Sequence, residues 1–212
     1  MRVRLLAVAA VLLAGFVALG LLVRERPPEP DAAVADALHG QWQRPLGAIT
    51  EVVTTIFGPA LPVAGMVALI VAIVLATRRG HTERAALLCR CALVGVACRL
   101  TSLFKPAFER ERPREYPMMS YPSGHVVSVG SVAFVVVLLC LLRARHRLWL
   151  AVAASTGAVL LSALSRIVLG VHWLTDTLGS VLAVLGVGLL ASVAVRLQPA
   201  SPHGAGVVSS KA

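Results

Sequence analysis

Three short stretches carry side chains suited to chemistry on an anion. The first is KPAFERERP, 105–113, in which Lys105 and Arg112 stand seven residues apart. Two cations at that distance can close on one anion, or both can meet lipid headgroups at a membrane edge. The second is PSGH, 122–125. Ser123 can cap a helix, Gly124 lets the backbone approach a ligand, and the free N–H groups at the helix start then converge on a point that suits a phosphate. His125, one position further on, can give a proton to a leaving group. A Pro-Ser-Gly run is also an ordinary turn, and a histidine at a helix start can be a plain surface residue. The third is SRIVLGVHWLTD, 165–176. His172 and Asp176 are four apart, which on a helix is one face, where the carboxylate can hold one imidazole nitrogen and free the other as base or nucleophile. The same pair can merely tie two helical turns together. Arg166 lies six residues before His172, off that face, but Gly170 offers a break that brings the guanidinium beside the imidazole.

The elements that must position these residues are membrane spans. Of the 212 residues 58% are hydrophobic and 14% charged, with mean hydropathy +0.83, well beyond an average soluble domain. Six segments are long enough to cross a bilayer, 5–23, 61–77, 85–104, 125–142, 148–169 and 174–195. The first has a signal-peptide look, with Arg2 and Arg4 ahead of an apolar run, but its length and the lack of a small-residue cleavage site favour a retained anchor. The formal charge of +10 sits in short clusters between apolar runs, the pattern of membrane flanks and not of a nucleic-acid face. With the N-terminus in the cytoplasm, Arg78, Arg79, Arg84, Arg143, Arg145 and Arg147 lie inside, and all three reactive stretches lie outside. Both termini are then cytoplasmic.

The connections fit that plan. RERPPEPD, from Arg24, is too Pro-rich and charged for a helix, whereas RPLGAITEVVTTIF makes an amphipathic helix from Pro45 that Gly58, Pro59 and Pro62 should break or kink. Pro106 disfavours a helical Lys105, so the third span should end there and release Lys105 and Arg112 into a surface loop. Residues 198–212 lack periodicity and read as a disordered cytoplasmic tail. Cys89, Cys91, Cys98 and Cys140 read as small buried hydrophobes without ligand spacing, so no metal site is expected. Arg110 and Arg114 read as headgroup contacts, Trp173 as an interfacial anchor, and Arg99 either as a snorkelling residue or as support for an anion site.

A charge at mid-bilayer costs about 2.5–3.5 kcal/mol, so three cations, two histidines and an aspartate gathered at one membrane face point to function. The three blocks, in the order and spacing KX6RP, PSGH and SRX5HX3D, resemble the type-2 phosphatidic acid phosphatase superfamily, membrane lipid phosphatases that share a site plan with vanadium haloperoxidases. Lys105 with Arg112 and Pro113, then Pro122 to His125, then Ser165, Arg166, His172 and Asp176 match them without departure. The resemblance implies an all-α bundle of six transmembrane helices, with residues 1–45 an anchor helix and outer segment and 46–197 the catalytic membrane domain. It implies His172 as the nucleophile forming a phosphohistidine, Asp176 orienting it, and His125 as proton donor and then base. Lys105, Arg112, Ser123, Gly124 and Arg166 would hold phosphoryl oxygens, with no metal or other cofactor. The substrate expected is a polyprenyl diphosphate of the undecaprenyl kind, recycled for wall synthesis at the outer face of the plasma membrane. Phosphatidic acid and phosphatidylglycerophosphate are the alternatives, as are transfer to a lipid or sugar acceptor and, from another class, a non-catalytic membrane scaffold.

Overall fold

Long runs of Leu, Val and Ala leave the backbone in lipid no partner but itself, and such runs become helices. The computed structural model describes residues 1–197 as α1 (Arg2–Leu22), α2 (Glu29–Ala37), α3 (Pro45–Thr55), α4 (Leu61–Arg78), α5 (Thr82–Leu100), α6 (Lys105–Phe108), α7 (Gly124–Arg143), α8 (Leu148–Val168) and α9 (Leu174–Ala194), with no strand among the described residues. Six stretches are long and apolar enough to cross a membrane: α1, Pro45–Arg78, Thr82–Phe108, α7, Arg145–Val168 and α9. The fold is the expected all-α bundle with six spans. The expected disordered tail, 198–212, lies outside the described residues.

Three local expectations change, two of them outright. Glu29, Pro30 and Asp31 open α2 instead of remaining unfolded, because a proline in the first turn loses no hydrogen bond and the two acids face the positive helix end. Of the expected break or kink at Gly58, Pro59 and Pro62, the break does not occur. Ile56–Ala60 widens into a π turn that accommodates the missing N–H of Pro59, and the helix runs on from Pro45 to Arg78. The third span does not end at Lys105. Thr101–Phe104 tightens into a 3-10 turn, Lys105 is helical at φ −48°, and Pro106 occupies the first turn of α6. The chain leaves the helix at Glu109, whose φ is +46°, so Lys105 is buried and not in a loop.

The long helix α9 is the centre of the bundle, packed along α1 and against α5 and α7. Its buried positions include Gly179, Ser180, Ala183, Gly186, Gly188 and Ser192. Lipid offers no hydrophobic drive between helices, and small residues supply the close backbone approach that dispersion needs. Outward faces carry Val63, Ile70, Leu160 and Leu164. Where α1, α6 and α9 meet, Phe16, Phe108 and Tyr121 form a buried aromatic plug, with the Phe16 and Tyr121 rings stacked at 5.3 Å. Tyr121 Oη donates to the Phe16 carbonyl at 2.5 Å, and burial pushes the phenol upward, so it stays a donor. The plug pins the residue just before the Pro-Ser-Gly-His turn and so fixes that turn against α1 and α9.

Candidate active site

The geometry begins with how α8 stops. Gly170 has φ +64°, a left-handed conformation cheap only for glycine. The Gly170 N–H donates to the Ile167 carbonyl at 2.9 Å and the Val171 N–H to that of Arg166 at 3.2 Å, a Schellman end. Two residues later Trp173 caps α9, and its N–H donates to Asp176 Oδ2 at 2.8 Å. His172 therefore precedes the helix and Asp176 reaches back from its first turn, a correction to the expectation of one helical face. The expected contact still forms: His172 Nδ1 donates to Asp176 Oδ2 at 3.1 Å.

The other imidazole nitrogen, Nε2, faces Arg112, whose Nη1 lies at 3.2 Å and also donates to the Val171 carbonyl at 2.5 Å. A guanidinium can only donate, so Nε2 carries the lone pair and Nδ1 the proton. Arg112 Nε donates to the Met118 carbonyl at 2.8 Å, and Lys105 Nζ to the carbonyls of Met119 and Ser120 at 2.8 and 3.0 Å. The first signature block is thus tied to the chain entering the second. Arg166 is not the guanidinium beside the imidazole. It reaches Thr54 Oγ1 at 3.5 Å, stands 5.9 Å from the Tyr116 ring centre, and its buried Nε has no hydrogen-bond partner in the protein.

Ser123 stands at the N-cap of α7, but its buried hydroxyl makes no capping bond and no other. Its N–H is held by Ser180 Oγ of α9 at 2.8 Å. The next N–H groups, of Gly124, His125 and Val126, have no acceptor within the helix. Lys105 Cε lies 3.9 Å from where a side chain on Gly124 would begin. His125 stands in the field of Arg166, Arg112, Lys105 and Arg99, its ring lying against Gly58 of the π turn, where an added Cβ would fall 2.2 Å from Cδ2. Gly58→Ala is therefore expected to turn the His125 ring away while the helix folds. The expected loss is about 10- to 100-fold in kcat with little change in unfolding temperature. Unchanged kinetics would detach Gly58 from the site.

Sequence reasoning missed the residues behind this face. Arg110, 2% exposed, is no headgroup contact. Its Nη1 donates to Asp176 Oδ1 at 2.6 Å and to Thr175 Oγ1 at 2.7 Å, and its Nη2 to Asp31 Oδ2 at 2.6 Å. Asp31 also accepts from the Thr175 N–H at 3.0 Å and from the Thr175 hydroxyl at 2.5 Å. Ser120 Oγ donates to Asp176 Oδ2. Breaking one member of such a buried charged set costs about 3–5 kcal/mol. Arg114 lies over Trp42 and Tyr116, at 5.2 and 6.0 Å from their ring centres. Trp173 is held by its Nε1 on the Glu111 carbonyl at 2.9 Å, and Arg110 stands 5.5 Å from its ring centre. The one sequence signal for Asp31 was an acid just after a proline, the usual chemistry of a helix start.

Burial pushes His172 down to about 3, with Arg112 and Lys105 adding to the effect and Asp176 opposing it. The folded imidazole is therefore neutral near pH 7. An unfolded imidazole titrates near 6.5, so between those two values the unfolded chain binds more protons and stability is lost as pH falls. The unfolding temperature in detergent should drop more steeply for the wild type than for His172→Gln on acidification from about pH 7 to about pH 4. Parallel curves would contradict the assignment.

Residues 84–199 match the family model of the PAP2 superfamily. The chain belongs to that superfamily. As a member it is a multi-pass membrane phosphatase acting on lipid phosphates. No curated protein matches it by sequence. Among solved structures it is similar to one described as the first transmembrane PAP2 type phosphatidylglycerolphosphate phosphatase from Bacillus subtilis. The TM-score is 0.63 at 19% identity, over 89% of this chain and 94% of that one, a likeness of fold.

Proposed function

We propose that this PAP2-type phosphatase removes the terminal phosphate of a polyprenyl diphosphate through a phosphohistidine on His172. The observation that carries the mechanism is the imidazole held between Asp176 on Nδ1 and a cation on Nε2. Phosphate entering between Arg112 and His172 takes over the guanidinium and meets a neutral nitrogen lone pair. Nε2 attacks phosphorus, the bond to the bridging oxygen breaks, and His125 protonates the departing lipid monophosphate. Asp176 stabilises the charge that develops on the ring. His125 then takes a proton from water, water displaces His172, and inorganic phosphate leaves. Lys105, Arg112, Arg166, the Ser123 hydroxyl and the N–H groups at the start of α7 receive the phosphoryl oxygens, a preorganised field in which each donor is worth about 100- to 1000-fold in rate. The unpartnered Ser123 Oγ and Arg166 Nε support that role.

A groove of about 510 Å³ between α4, α5 and α7 supports a long apolar tail. It is lined by Leu69, Ala72, Val135 and Leu139, with Arg99 and Ser128 at the end near the site, and the Ser128 hydroxyl donates to the Gly124 carbonyl at 2.7 Å. We place the site at the outer face, with the arginine-rich helix ends at Arg78 and Arg143 in the cytoplasm together with both termini. Residues 46–197 would form the catalytic unit, anchored by α1. A second reading, phosphatidylglycerophosphate, is favoured by the description of the Bacillus structure. The test is phosphate release by the purified protein, with chelator present, on polyprenyl diphosphate, phosphatidylglycerophosphate and phosphatidic acid. We expect kcat/KM for the diphosphate to lead by at least about tenfold. A lead for phosphatidylglycerophosphate establishes the second reading, and release only with an added acceptor makes the protein a transferase.

A further inference from the structure

We propose that Asp31 and Arg110 are positioning residues that set the His172–Asp176 pair through a continuous chain of buried hydrogen bonds. Asp31 lies between the first two spans, outside the 84–199 that match the family model, and Arg110 falls among the unspecified positions of KX6RP. Every oxygen of Asp176 is committed. Oδ2 faces His172, Ser120 and the Trp173 N–H, while Oδ1 faces Arg110 at 2.6 Å. The plane of the carboxylate, and with it the direction of His172 Nδ1–H, therefore depends on where the guanidinium stands.

That position is set from the far side by Asp31. It binds Arg110 Nη2 at 2.6 Å and grips both the N–H and the hydroxyl of Thr175, the residue immediately before Asp176. One carboxylate thus fixes the guanidinium and the first turn of α9 together. Charge adds a second effect. A single cation shared by two carboxylates leaves Asp176 enough negative character to hold a ring that becomes positive. With Asp31 neutralised, Arg110 turns wholly to Asp176 and weakens its hold on the ring. The hydrogen bonds of both residues go to each other, Thr175 and Asp176, on the Nδ1 side of His172 and not to Arg112 on the Nε2 side, so the effect falls on the chemical step and not on substrate binding.

The kinetic part rests on the phosphohistidine reading; the structural part does not. In the full-length protein in detergent, Asp31→Asn and Arg110→Lys should each lower kcat about 10- to 100-fold while KM stays within about threefold. Arg110→Met should lose more than Arg110→Lys. Independently, nitrogen NMR of histidine-labelled protein should show His172 protonated at Nδ1, with that proton moved upfield in Asp31→Asn as the bond to Asp176 weakens. Variants with wild-type kcat and an unmoved Nδ1 proton overturn the proposal. So does a wild-type His172 without a proton at Nδ1, which decides the matter even where the variants fail to fold. A wild type that turns over no lipid phosphate defeats the phosphatase reading alone, and the ring spectrum still decides this one.

Discussion

His172→Gln is expected to lower phosphate release by about 10⁴-fold or more and to remove any acid-labile phosphate bound to the protein. Glutamine keeps much of the volume and an N–H for Asp176, so the packing of the α8–α9 turn survives, but an amide nitrogen has no lone pair to give phosphorus. His125→Gln should fall less on an activated leaving group than on a lipid alcohol, because a good leaving group needs no proton. The double variant should be little worse than His172→Gln alone, since the two rings serve one reaction path. The decisive measurement is rapid quench with labelled substrate followed by base-stable, acid-labile counting. Turnover by His172→Gln above one hundredth of wild type would remove the covalent step.

How far the sequence foretold this arrangement differs between residues that act and residues that support them. The spans were legible because lipid forces an apolar run of a fixed length. That Lys105, Arg112, His125, His172 and Asp176 come close together in the fold was expected from motif order. What escaped was local shape. Pro106 signalled a helix end and Pro59 a break or kink, yet a 3-10 turn and a π turn carried the helices past both. The carbonyl-free positions that prolines need are supplied by neighbouring geometry that no residue type announces. The spacing of His172 and Asp176 suggested one helical face, whereas the Gly170 turn makes the same contact from outside the helix.

Arg110 shows the deeper reason. It lies in a run of alternating charges, ERER, where composition says solvent or headgroups. Its burial depends on Asp31, nearly eighty positions earlier, and neither residue is intelligible without the other. A buried ion pair is a long-range fact. Sequence reasoning assigns each charge the cheapest local fate, so it misses charges whose cost is met only in the folded molecule.

Asp176→Asn carries the second-largest expected loss, about 10³- to 10⁴-fold in kcat. Asparagine retains the shape but has one acceptor oxygen where the carboxylate has two. In the folded protein Oδ2 accepts from Ser120, His172 and the Trp173 N–H, and Oδ1 from Arg110. If the amide group faces Arg110, two donors oppose each other in a dry site. If it faces His172, the imidazole must present Nδ1 as acceptor, and the proton moves to Nε2, the atom needed for attack. Each arrangement leaves a buried donor unpaired, at about 1–3 kcal/mol, so the unfolding temperature falls together with the rate. The distinctive outcome lies in the split: KM should stay close to wild type because Asp176 does not meet the phosphate, while Arg112→Ala should raise KM as well as lower kcat. An Asp176→Asn enzyme that loses stability but keeps its kcat would reduce the His172–Asp176 bond to a structural tie.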